Sequence, residues 1–148
     1  MKFLILSVVV FILIAFLIPK RMTKIEMFTT CLFALLFQKQ VDIFLALKYH
    51  LYGYIGEIRF ANVIINYGLF SAVNIILLNY YPFKKSLRTK AYYILSWDAF
   101  LVAFEWATVK SGYFYHNGWK YWYSAVLNPI IILILTLCLI FVRKINHR

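Results

Sequence analysis

Residues 91–123 read AYYILSWDAFLVAFEWATVKSGYFYHNGWKYWY. The stretch is long and apolar enough to cross a bilayer, yet it carries Asp98 and Glu105 in its middle and closes in an aromatic and histidine run. An ionised acid at mid-membrane costs ~2.5–3.5 kcal/mol on insertion scales, so a spanning helix with two must turn that face toward protein or water, or keep the acids protonated. Asp98 and Glu105 are seven positions apart, which sets them on nearly the same helical face, about two turns or ~10 Å from each other. The other segments read as what anchors this helix and gives its acids a tolerable environment.

Composition supports a membrane setting. The 148 residues are 64% hydrophobic and 20% aromatic, with only 14% charged and a mean hydropathy of +0.79. A soluble domain is about half apolar and about a quarter charged. The chain therefore reads as one integral membrane domain spanning residues 1–148, with no room for a second. A net charge of +11 would suit a nucleic-acid partner if it lay along one solvated face. Here the basic residues sit between apolar runs and read as topology signals, so no nucleic acid is expected.

Apolar runs predict five spans near 3–18, 25–47, 60–80, 91–109 and 122–142. All are expected to be helical, because an open chain in lipid must satisfy its backbone within each segment. The first could pass for a secretory signal, but no small-residue cleavage site follows it and Pro19-Lys20-Arg21 does. In the fifth, Asn128-Pro129 predicts a kink. Lys20, Arg21, Lys24, Lys84, Lys85, Arg88, Lys90, Arg143, Lys144 and Arg148 fall on one side, against Lys2, Lys48, Arg59, Lys110 and Lys120 on the other. That excess puts the N-terminus outside and the C-terminus in the cytoplasm, as an odd number of spans requires. The fold class is thus an all-α, polytopic transmembrane bundle. Cys31 and Cys138 lie inside apolar runs and read as packing residues.

Counting from each border at ~1.5 Å per residue brings Gln38, Lys39, Asp42, Asn62, Asn66 and Glu105 to a similar level in the outer half, which Asn128 also reaches. Together they suggest a polar, outward-opening pocket in which Lys39 offsets one of the acids. Lys39 and Asp42, as i,i+3 neighbours, could instead neutralise each other. The plainer alternative is helix gluing by interhelical hydrogen bonds, each worth about 0.6 kcal/mol. Asp98 lies deeper, at the level of Asn74, and a structural hydrogen bond between those two would explain it. His116, in a loop with the Asn117-Gly118 turn, could join His50 and Glu57 on a metal, but the three share no ligand spacing. An interfacial histidine bonded to headgroups or backbone is the simpler reading, and no metal or cofactor is expected. No GxSxG, P-loop, GxGxxG or Ser/Lys pattern is present.

The Tyr81 to Lys85 loop, Trp97, Glu105-Trp106, Gly112, Tyr115-His116-Asn117-Gly118-Trp119 and Trp122-Tyr123-Ser124 carry a resemblance. In this order they resemble a family of small multi-spanning membrane proteins, mostly of unknown function, from endospore-forming Bacillus- and Clostridium-type bacteria. The resemblance covers residues 42–134 and is sharpest from Glu105 to Ser124. It implies a helical bundle in the bacterial plasma membrane and transfers no catalytic role. The leading expectation is a multi-pass protein without chemistry of its own. It would bind a membrane-protein partner, a second copy, a lipid headgroup or a small polar solute through Glu105, His116, Trp119 and the polar set. Its rivals are a small proton- or solute-coupled transporter component and a membrane-embedded enzyme acting on lipid.

Overall fold

A computed structural model describes residues 2–54 and 60–146, without the side chains of residues 54, 60–62, 64 and 65. Asn62, Glu57 and Arg59 therefore lie outside the described side chains. Among the described residues five helices form: α1 (Lys2–Leu17), α2 (Lys24–Asp42), α3 (Phe60–Asn79), α4 (Leu87–Lys110) and α5 (Tyr121–Asn146). A π-helical turn, Ile43–Lys48, continues α2. Local chemistry sets two of the starts. Thr23 and Glu26 form a reciprocal capping box at the head of α2. Ser86 accepts from the Thr89 amide and starts α4 four residues before its apolar run. Helix α5 runs unbroken through Pro129.

No alternating pattern in the chain announces strands, yet two short ones join the loops at one end. β1 (Tyr52–Tyr54) pairs antiparallel with β2 (Phe114–His116), with Tyr52 opposite His116. Two residues with positive φ shape the approach to β2: Gly112 (φ 72°) ends α4, and Gly118 (φ 92°) makes the turn after the strand.

The helices close into a ring. α3 packs between α1 and α2, α2 packs on α5, and α5 on α4. Phenylalanine rings close the last seam: Phe11 lies 5.9 Å from both Phe100 and Phe104, and Phe3 lies 5.8 Å from Phe104. The two ends of this ring are filled differently. At the end carrying the 18–23 and 80–86 connections, Leu77, Leu78, Ile94, Ile132 and Leu139 make a solid apolar core. At the hairpin end, Leu4, Val8, Leu69 and Tyr113 form a smaller cluster along one flank.

The outward faces are apolar. Phe16, Leu17, Phe28 and Leu137 are 63–82% exposed, the reverse of the pattern that water selects. Among the described residues, Lys24–Lys48 and Tyr121–Asn146 are long and apolar enough to cross a membrane, and Lys2–Leu17 is apolar but shorter. Helix α4 is diluted by Asp98 and Glu105 within its apolar run. These features suggest membrane association.

Buried Asn79 clamps the α1–α2 connection. Its Oδ1 accepts from the Arg21 amide at 2.7 Å and its Nδ2 donates to the Pro19 carbonyl at 3.0 Å. Beside it, Lys20 reaches back to the Ala15 and Ile18 carbonyls at the end of α1. Asn79→Ala leaves two backbone groups in a crowded turn without partners. We expect it to lower stability by about 2 kcal/mol in detergent unfolding, whereas Asn79→Asp, which still accepts from Arg21, should cost less.

Candidate binding site

All five helices line a cavity of about 280 Å³ at the hairpin end of the ring. Its walls are mostly apolar: Leu4 and Phe11 from α1, Leu69, Phe70 and Val73 from α3, and Phe100 and Phe104 from α4. Polar groups enter from four helices, as Gln38 and Asp42 (α2), Asn66 (α3), Glu105 (α4) and Asn128 (α5). Tyr52, Tyr113, Phe114 and Trp119 cover it from the strands and their loops. A largely apolar recess with a few placed polar groups is the usual form of a small-molecule site, and this one lies near the lower end of the ~300–1,000 Å³ range.

The acids reach this site already partnered. Asp42 accepts from the Tyr52 hydroxyl at 2.9 Å and from Gln38 Nε2 at 3.2 Å, and lies 3.9 Å from Lys39 Nζ. Lys39 thus offsets its own i,i+3 neighbour, the second of the two arrangements weighed from the sequence. It also sits 5.9 Å above the Tyr67 ring and does not line the cavity. Glu105 pairs with His116, Oε1 to Nε2, at 2.8 Å. The backbone partner read for His116 is corrected accordingly. The ladder that sets Tyr52 opposite His116 swings the imidazole back over the end of α4, where it packs 4.9 Å from the Tyr121 ring.

The expected Asp98–Asn74 pair is also corrected. Asp98 accepts from Asn128 Nδ2 at 3.0 Å, because α4 packs against α5. Asn74 instead donates to Thr30 Oγ1 at 3.3 Å and to Cys31 Sγ at 3.5 Å across the α2–α3 seam. Matching depth along the bundle normal does not make two residues neighbours, since adjacency in the ring decides which faces meet. Asn66 lines the cavity and hydrogen-bonds Tyr113. Burial pushes the Tyr113 phenol above its usual range, opposed by that hydrogen bond, so the ring enters the site uncharged. The side chain of Asn62 is outside the described residues. Among those residues no group of three metal-ligating side chains comes together, and Cys31 and Cys138 are both free.

The Glu105 to Ser124 block forms one connected structure. His116 holds Glu105, the Asn117 amide donates to the Leu51 carbonyl at 2.7 Å, and Asn117 Nδ2 donates to the His50 carbonyl at 3.0 Å. Trp119 Nε1 donates to Ser124 Oγ at 2.8 Å while its ring meets Tyr52 edge-on at 5.5 Å. His50, at φ 51°, therefore serves through its carbonyl. Trp119→Phe keeps the ring and removes the bond to buried Ser124. It should cost about 1 kcal/mol, read as a shift in thermal unfolding, with Ser124→Ala giving a similar loss and the double variant little more.

Sequence reasoning missed Glu26, which is 2% exposed and bonds Arg143 Nε at 3.1 Å. Its signal was present in Thr23-Lys24-Ile25-Glu26, the capping-box spacing at a helix start. Gln38 and Asn128 were read as polar residues at this level, but the bond from Asn128 to Asp98 was not. No family model, curated protein or solved structure matches the chain.

Proposed function

We propose that the chain is a five-span protein of the bacterial cytoplasmic membrane whose cavity at the outer end holds a small ligand without transforming it. The observation that carries this reading is the cavity itself, lined by all five helices and carrying polar groups from four of them. The excess of Lys and Arg at the opposite end supports an outside N-terminus and a cytoplasmic C-terminus. The resemblance of the Glu105 to Ser124 block to membrane proteins of endospore-forming bacteria supports the choice of membrane. In this reading the aromatic residues of the hairpin end sit at the outer interface, where amphipathic rings prefer to lie. The Asp42 and Asp98 carboxyls are engaged by Lys39, Tyr52 and Asn128, which favours a binding role for them over general acid or base work.

Filling the cavity tests this. Protein purified in mild detergent and examined by native mass spectrometry should carry a small bound species. Val73→Trp, which pushes an indole into the recess, should lose it. If wild type and variant show the same mass and the same thermal stability with and without added membrane extract, the binding reading fails. A partner-subunit role would show instead as co-purification of another membrane protein, unchanged by Val73→Trp.

A proton-coupled carrier component is the second reading. It is favoured by one observation: Asn128 lines the cavity and holds Asp98, so the deeper acid lies one hydrogen bond from the same space as Glu105. It predicts pH-dependent flux in liposomes that Glu105→Gln abolishes.

A further inference from the structure

We propose that the ligand of this cavity is a primary ammonium with a short apolar tail, an inference that rests on the binding reading above and names its chemistry. The placement of the charged pairs carries it. Asp42 and Glu105 both line the cavity, whereas the basic side chains beside them, Lys39 and His116, do not. Each acid is therefore nearer the cavity than its basic neighbour. A positive group inside the cavity meets the oxygens first and the compensating charge only behind them. In a region of low effective dielectric that ordering favours a cation and penalises an anion.

Hydrogen bonding narrows the cation. Gln38 gives its amide nitrogen to Asp42, and its Oε1 is enclosed away from the cavity. The acceptors left to a ligand are the Asp42 and Glu105 carboxyl groups. A quaternary ammonium has charge but no N–H to give. A primary ammonium offers three donors to the two carboxyl groups that line the recess.

The remaining walls describe the tail. Phe11, Phe70, Phe100 and Phe104 line the deeper part with Leu69 and Val73, a surface suited to an alkyl or small aryl group. Tyr52 and Trp119 near the hairpin add ring faces that attract a cation. A small volume and one cluster of oxygens fit a single ammonium better than a polyamine.

The test uses the whole protein in maltoside detergent and four probes of one chain length: n-hexylammonium, hexyltrimethylammonium, 1-hexanol and hexanoate. Apparent dissociation constants come from the concentration dependence of the unfolding temperature. Hexylammonium should bind about tenfold more tightly than hexanol, a difference of ~1.4 kcal/mol, with hexyltrimethylammonium between them and hexanoate weakest. Asp42→Asn and Glu105→Gln should each shrink the hexylammonium preference toward that of hexanol while leaving hexanol binding in place. Because the probe ranking is measured on the wild-type protein, it decides the matter even if a variant fails to fold. Hexanol or hexanoate matching hexylammonium, with all binding lost in Val73→Trp, would overturn the ammonium inference and leave the cavity as a binding site. No stabilisation by any probe, in wild type or variant, would overturn both.

Discussion

Arg143→Ala should lower the free energy of unfolding by roughly 3–5 kcal/mol, the usual cost of stripping one partner from a buried ion pair. Glu26 is the reason. It is almost completely buried, its Oε1 accepts from Arg143 Nε at 3.1 Å, and its Oε2 accepts from the Thr23 amide at 3.0 Å. Arg143 also lays its guanidinium 4.7 Å over the Phe83 ring, so one side chain joins the head of α2, the end of α5 and the loop before α4. Removing it strands a carboxylate with only the capping bond to hold it. Glu26→Gln should cost much less, because glutamine still serves the capping box and Arg143, more exposed than its partner, can turn toward water. Unfolding by denaturing detergent measures both, and equal losses would mean that the pair is held by packing rather than charge.

His116→Ala should produce the second large effect, a loss of about 2 kcal/mol, because it leaves the Glu105 carboxyl at the opposite end without the group 2.8 Å from it. Glu105 and His116 have side chains only 17% and 13% exposed, and they meet at 2.8 Å between the end of α4 and β2. Without the imidazole, the Glu105 carboxylate faces a recess of phenylalanine rings. Glu105→Gln should be milder, since it keeps the shape of the side chain beside His116 and buries no charge. The cycle through Glu105→Gln, His116→Ala and the double variant should give a coupling of about 1–3 kcal/mol. Additive losses would show that the loop is anchored by its backbone bonds to Leu51 and not by this pair.

What could be read from the chain follows the range of the forces involved. Apolar runs are local, so the helices were legible, and four of the five begin within a few residues of the expected borders. α4 starts earlier because Ser86 caps it, a feature outside the apolar run. The polar level was legible too: Gln38, Asp42, Asn66, Glu105 and Asn128 do face one cavity. Partners were not. Glu105 belongs with His116 because two loops, 60 residues apart in sequence, pair as strands, and three-residue strands leave no periodic trace. Asp98 belongs with Asn128 because α5, and not α3, flanks α4. Depth fixes height in a bundle, whereas the order of helices around the ring is a matter of shape, here settled partly by the phenylalanine seam between α1 and α4.

The joint claim of orientation and an accessible cavity is tested most directly by cysteine labelling in intact cells. The background would carry Cys31→Ala and Cys138→Ala, with a single cysteine at Asn66 or at Lys85 and a membrane-impermeant thiol reagent outside. Asn66→Cys should be modified in intact cells, more slowly in the presence of Val73→Trp, and Lys85→Cys only after the membrane is permeabilised. Labelling of Lys85→Cys from outside, with Asn66→Cys protected, would contradict it.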